Sequence, residues 1–204
     1  MQVTFHFDPG CPWTWLTSRW LLRAAETEDV QVVFAPFSLA HINRDREIPE
    51  EHRGHVDAGR SALRVVQRLI DDDDQAAVAR LYDEWGTLLH RDGGTPSLDL
   101  VRAATQAAGL ADDVAAAVDD PSFDAAIAAA TDGASDAAGR DVGSPVLRWD
   151  EGGTSVAVFG PIIDELPDVE GSADLWRGVR SLARHGELKE LKRGRVGDPK
   201  LEGS

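Results

Sequence analysis

Apolar and polar residues alternate at the start of the chain, with Val3, Phe5 and Phe7 on one side and Thr4 and His6 on the other. That period of two predicts a strand, which Pro9-Gly10 ends. Past this turn Trp15, Leu16, Arg19, Trp20, Leu22 and Arg23 recur at helical spacing. Pro12 suits the first helical turn, where its missing N–H has no partner to lose. The helix is expected to end between Ala25 and Glu28, and Val30, Val32, Val33, Phe34 and Phe37 then form a second β-rich run. Strand, helix and strand in this order make a βαβ unit, whose crossover is right-handed and whose strands are parallel.

From about Pro49 to Arg140 the pattern is helical throughout. One apolar stripe is Ala62, Val65, Val66, Leu69 and Ile70; a second is Val78, Leu81, Tyr82, Trp85 and Leu88; a third is Leu98, Val101, Ala104 and Ala108. Gly93-Gly94-Thr95-Pro96 separates the last two, with Ser97 or a neighbour starting the next helix. Asp120-Pro121 opens another helix, its apolar face Phe123, Ile127, Ala130, Ala134 and Ala138, ending at Gly139. Strand patterns return at 142–149 and 155–159 around Asp150-Glu151-Gly152-Gly153, a β-hairpin. A short helix is expected from Gly160-Pro161 to Pro167, and a last amphipathic helix from about Ser172 to Gly186.

Composition narrows the function classes. With 204 residues the chain can bury a core without disulfides or metals. No apolar run approaches the roughly 18 residues of a membrane span, and no leader pattern opens the chain. These features, with a single cysteine, lead to the expectation of a soluble cytoplasmic protein. A formal charge of -15 argues against nucleic acid as a partner, because phosphate binding needs a basic face. No metal is expected: His52 and His55 could share a helix face but lack a ligand set, and the Asp71 to Asp74 run reads better as helix capping. The tail holding Lys189, Lys192, Arg193, Arg195 and Lys200 is the one basic stretch, expected to dock on the chain's own acidic surface or stay solvated rather than form a partner site.

The candidate chemistry sits at Cys11, the one cysteine, between the first strand and the first helix. At a helix N-terminus unpaired N–H groups and the macrodipole favour a thiolate. A C-x-x-C there would read as a redox pair, but the fourth position is Thr14. Its hydroxyl, three residues on, could donate to a thiolate and cannot resolve a mixed disulfide. A second thiol must therefore come from another molecule.

A βαβ unit, a helical block and a ββα unit describe a thioredoxin-like α/β fold with helices inserted in its middle: residues 1–48 and 140–204 as the thioredoxin-like domain, 49–139 as the helical one. The chain resembles DsbA-like thioredoxin-fold proteins, and among them the mycothiol-dependent nitroreductase family. The likeness rests on Phe7-Asp8-Pro9-Gly10-Cys11-Pro12-Trp13-Thr14-Trp15 with Thr17 to Leu21, on Ser38 to Asn43, on Gly143-Ser144-Pro145 and on Phe159-Gly160-Pro161. Two departures stand out: Thr14 replaces a second cysteine, and His52 stands near a position where the family tends to have tyrosine.

The resemblance implies a thiol-dependent oxidoreductase with Cys11 and Thr14 as catalytic residues. It further implies Pro12, Trp13, Asn43, His52, Ser144 and a cis Pro145 around the substrate and thiol. The co-substrate would be mycothiol or a similar low-molecular-weight thiol, with no metal. The other partner would be a disulfide, a nitro-aromatic or a comparable electrophile, and a homodimer is compatible with this reading. Two alternatives differ in chemistry. Kappa-type glutathione transferases and chromene isomerases, similar in layout, hold a thiol noncovalently and usually have serine where this chain has Cys11. A non-catalytic binding protein would instead show a buried or unreactive Cys11, its pKa near or above the free value of about 8.5.

Overall fold

The computed structural model describes residues 1–201; residues 202–204, the end of the expected 140–204 segment, lie outside the described residues. β1 (Gln2–Phe7), α1 (Pro12–Ala24) and β2 (Gln31–Pro36) form the βαβ unit, with Gln2 to Phe7 in parallel register with Gln31 to Pro36. Six helices follow: α2 (Leu39–Ile42), α3 (Glu50–Asp71), α4 (Gln75–Gly86), α5 (Leu98–Ala107), α6 (Asp112–Ala115) and α7 (Asp124–Ala138). α4 runs on into a π-helical turn, Thr87–Arg91, and 3-10 turns at Ala116–Asp119 and Pro121–Phe123 lead into α7. The chain then returns as β3 (Val146–Glu151), β4 (Thr154–Phe159) and α8 (Val169–Ala183).

β3 lies antiparallel on the free edge of β1, and β4 antiparallel on β3, so the sheet order is β2-β1-β3-β4. Glu151 pairs with Thr154, leaving Gly152 and Gly153 as a two-residue turn with φ of 60° and 85°. Such a turn matches the twist of its strands only with positive φ at both positions, which glycine adopts without strain.

One sheet face carries Val3, Phe5, Phe7, Phe34, Leu147 and Trp149 into the main core with α1, α3, α4, α5 and α8. Trp176 of α8 sits 5.5 Å from Trp149 and 6.4 Å from Trp20, and the Trp20 indole N–H donates to the Ser172 carbonyl at 3.1 Å. Phe7 stacks on Tyr82 of α4 at 4.1 Å, which carries the helical block onto the sheet. Val146 joins a smaller cluster with Phe37 and Ala134 of α7.

Local capping follows the sequence. Asp74 accepts from the Ala77 amide, Ser97 from Leu100 and Asp168 from Gly171. The acidic run at Asp71 to Asp74 is thus absorbed by a cap, a Gln67 hydrogen bond to Asp71 and an Arg68 ion pair to Asp72. Two expectations change. Gly160 to Pro167 is not helical: the Pro161 carbonyl accepts from Thr17, Pro167 from Arg23 and Asp164 from the Lys200 amide, so its backbone is tied to α1 and to the tail. The last helix begins three residues earlier than Ser172, at Val169, because Asp168 caps it.

Candidate active site around Cys11

Asp8-Pro9-Gly10-Cys11 closes a turn in which the Cys11 amide donates to the Asp8 carbonyl at 3.2 Å. Cys11 is the N-cap of α1, with Pro12 following in the first turn and the Trp15 amide donating to the Cys11 carbonyl at 3.1 Å. The Asp8 side chain, 2% exposed, accepts from the Gly10 amide at 2.8 Å and from the Leu39 amide at 2.7 Å. It therefore ties the turn to the start of α2. A side chain at Gly10 would meet the His55 carbonyl at 2.5 Å, and one at Gly59 would meet the Asp8 carboxyl at 2.8 Å. α3 thus lies directly against the turn, at backbone distance.

The loop before β3 completes the junction. Ser144 Oγ accepts from the Asp8 amide at 2.9 Å and lies 3.0 Å from Thr14 Oγ1, a hydroxyl pair in which Ser144 can give its proton to Thr14 and leave the Thr14 O–H for the Cys11 sulfur, all three groups being buried. The Ser144–Pro145 and Gly160–Pro161 peptide bonds are both cis, and the Pro145 carbonyl accepts from the Gly160 amide at 2.9 Å. From the other side, the Pro9 carbonyl accepts from Trp85 Nε1 at 2.7 Å and from His90 Nε2 at 2.9 Å. A carbonyl only accepts, so neutral His90 carries its proton on Nε2. The ring of His90 lies 5.9 Å from that of Trp15, placed there by the π turn after α4.

These surroundings set the charge states. Burial raises the Asp8 carboxyl from its usual 3.8 to about 6, although the Leu39 and Gly10 amides pull it down. Burial also pushes the Cys11 thiol above its ordinary value; the Thr14 hydroxyl and the Thr14 and Trp13 amides oppose this, and the Asp8 charge reinforces it. The thiolate preference expected from a helix N-terminus is therefore outweighed: the first-turn amides do act on the sulfur, but desolvation is larger. Cys11 as a residue remains partly exposed.

Of the other residues named from the sequence, Trp13 is half-buried, with the Arg195 guanidinium 5.3 Å from its ring centre. Asn43 ends α2, its amide donating to the Leu39 carbonyl at 2.9 Å and its oxygen accepting from Arg46 at 3.4 Å. His52 is exposed on the first turn of α3, and among the described residues it makes no hydrogen bond or ion pair with Cys11. Asp8, Trp85, His90 and Arg195 were not among the expected site residues. Only Asp8 had a readable signal, an Asp two residues before a turn amide. Among the described residues no group of three His, Cys, Asp or Glu side chains forms a metal site, and no helix is long and apolar enough to cross a membrane.

Residues 10–193 match the Rv2466c-like family, described as mycothiol-dependent nitroreductase Rv2466c. The chain belongs to this family. It is 28% identical over 193 residues to the uncharacterised protein Rv2286c of Mycobacterium tuberculosis, covering 94% of this chain and 81% of that one. A probable DsbA oxidoreductase, SCO1869 of Streptomyces coelicolor, superposes with a TM-score of 0.58 at 15% identity, over 97% of this chain and 96% of the other. The cytosolic disulfide reductase DsbM of Pseudomonas aeruginosa gives 0.59 at 14% identity, over 90% and 100%. A 2-hydroxychromene-2-carboxylate isomerase gives 0.58 at 15%, over 90% and 97%. The fold is the DsbA-like thioredoxin fold anticipated from the element order.

The Thr14 hydroxyl is the side-chain donor that favours the thiolate. Thr14→Val removes it at nearly constant volume and moves the thiol further up. The loss of thiolate at neutral pH outweighs the gain in nucleophilicity of each remaining thiolate, so alkylation there should slow severalfold. An unchanged rate–pH profile would remove Thr14 from the site's chemistry.

Proposed function

We propose that the protein is a single-cysteine, thiol-dependent oxidoreductase in which residues 49–139 form an inserted helical domain over a thioredoxin-like one. The observation that carries this reading is the partly exposed Cys11 at the head of α1, with the Thr14 hydroxyl acting on its sulfur, in a chain of a mycothiol-dependent family. Cys11 rests as a thiol and loses its proton to solvent before attack. Its thiolate then displaces one sulfur of a disulfide, giving a Cys11 mixed disulfide and a free thiolate. A second low-molecular-weight thiol, mycothiol by family, attacks that mixed disulfide, regenerates Cys11 and leaves as the new disulfide. One turn therefore exchanges one substrate thiol for mycothiol; a second turn on that mixed product, with a second mycothiol, releases the other substrate thiol, so that two thiols give up two electrons and become a disulfide for each substrate disulfide reduced. Nitro-aromatics take the same two electrons in reduction to the nitroso level with release of water. Pro12, Trp13, Ser144 and Pro145 would line the reacting sulfurs, Asn43 and His52 the outer rim. The setting we assign is cytoplasmic.

Intact mass after incubation with the disulfide of mycothiol tests this directly: one mycothiol should add to the wild-type protein, be absent from Cys11→Ser, and leave again with excess thiol. The raised Cys11 thiol favours one second reading, in which a thiol ligand is held noncovalently and Cys11 never reacts. Absence of any adduct, with saturable binding of mycothiol by calorimetry, would replace the first reading by the second. Alkylation of Cys11 should keep accelerating with pH beyond the range in which a free thiol levels off.

A further inference from the structure

The tail after α8 carries no regular structure, yet it is tied to the body of the protein. Pro199 is buried, the Lys200 amide donates to the Asp164 carbonyl at 2.7 Å, Lys200 Nζ meets Glu165 at 2.7 Å, and Leu201 packs against the main core. This anchoring draws the preceding residues across the start of α1 and sets the Arg195 guanidinium 5.3 Å from the centre of the Trp13 ring, two residues from Cys11.

Arg195 stands apart from the arginines that hold the fold together. Arg64 pairs with Asp124, Arg177 with Glu28 and Arg180 with Glu151. Among the described residues Arg195 makes no ion pair or hydrogen bond, in a chain with 36 acidic residues against 21 Lys and Arg. A guanidinium stacked on an indole keeps its in-plane N–H groups free, and their fork matches a carboxylate. Arg195 lies beyond residue 193, where the family match ends.

We propose that Arg195, held by Trp13, is a specificity-determining residue of the Cys11 site and selects electrophiles that carry a negative group, a carboxylate above all, beside the reacting atoms. This rests on the single-cysteine reading above. The partly exposed Trp13 and Pro12 then take the aromatic or aliphatic body of the molecule, and Arg195 its charged end.

The full-length wild type, Arg195→Ala and Arg195→Lys would be compared for rates of mixed-disulfide formation at Cys11 with two probes. These are the dianionic 5,5′-dithiobis(2-nitrobenzoate) and the neutral 4,4′-dithiodipyridine. An exposed cation–carboxylate contact contributes about 1 kcal/mol, so the anionic-to-neutral rate ratio should fall about fivefold in Arg195→Ala. It should recover in part in Arg195→Lys, and the wild-type ratio should itself shrink at high salt. A ratio unchanged by Arg195→Ala would overturn the proposal while leaving the single-cysteine reaction standing. If Cys11 reacts with neither probe, the single-cysteine reading fails. Calorimetric titration of Cys11→Ser and Cys11→Ser/Arg195→Ala with 5-thio-2-nitrobenzoate then decides the anion site: weaker binding in the double variant upholds it, and equal binding overturns it.

Discussion

Gly86→Ala should destabilise the protein by about 3 kcal/mol, against the usual gain of roughly 1 kcal/mol for alanine over glycine in a helix. A Cβ at Gly86 would sit 1.7 Å from Trp15 Nε1 and 2.1 Å from Trp15 Cδ1, and no rotation of a methyl group relieves that. The Trp15 ring is fully buried, with the His90 ring 5.9 Å away and the Arg19 guanidinium 5.8 Å from its centre. The helices must therefore move apart, α1 with Cys11 on one side and the end of α4 with its π turn on the other. Thermal unfolding should drop by about 6 to 12 °C for a domain of this size. Among the described residues Trp15 Nε1 is buried without a hydrogen-bond partner, so Trp15→Phe forfeits no bond and shortens the offending ring. Adding it to Gly86→Ala should recover part of the loss, a coupling expected only of residues in contact. A Gly86→Ala variant as stable as the wild type would show that α1 and α4 are not held by this contact.

The same junction shows where sequence reading stops. The period-two run of β1, the helical spacing of α1 and the Gly152-Gly153 hairpin are local patterns, and each produced the element it predicted. Cys11 at the head of α1 was legible for the same reason: a strand, a Pro-Gly turn and a helix start lie within a few residues. What the pattern could not carry was the environment of the sulfur. Asp8 is held by Leu39 and Ser144, residues 31 and 136 positions away, and Pro9 by Trp85 and His90, 76 and 81 positions away. Desolvation is the sum of such distant contacts, so the helix N-terminus predicted a lowered thiol while the folded chain raises it. The segment after β4 failed as a helix on similar grounds, because its carbonyls bond to α1 and to a tail that no local rule places there.

Acidification from pH 7 to 5 should cost about 2.5 kcal/mol of stability, and buried histidines are the cause. Burial lowers His6 from 6.5 to about 4, with the Arg148 charge acting the same way; burial lowers His90 to about 4 although its bond to the Pro9 carbonyl opposes this. Once unfolded, both take up protons near their ordinary pKa. Between the two values the unfolded chain binds more protons than the folded one, so stability present at neutral pH is lost as pH falls. Each histidine contributes about 2 kcal/mol over this interval. Asp8 works in the opposite direction, because its folded pKa of about 6 lies above its usual 3.8. The folded state is protonated first there and regains about 1 kcal/mol on acidification. Denaturant unfolding at pH 7, 6 and 5 should show the net fall. His90→Gln keeps an N–H donor for the Pro9 carbonyl and removes the titration, so the fall should shrink to under about 1 kcal/mol. A midpoint that stays level or rises on acidification in the wild type would mean that His6 and His90 are charged in the folded protein. The Pro9 carbonyl would then face an imidazolium, a positive charge placed beside the turn that carries Cys11.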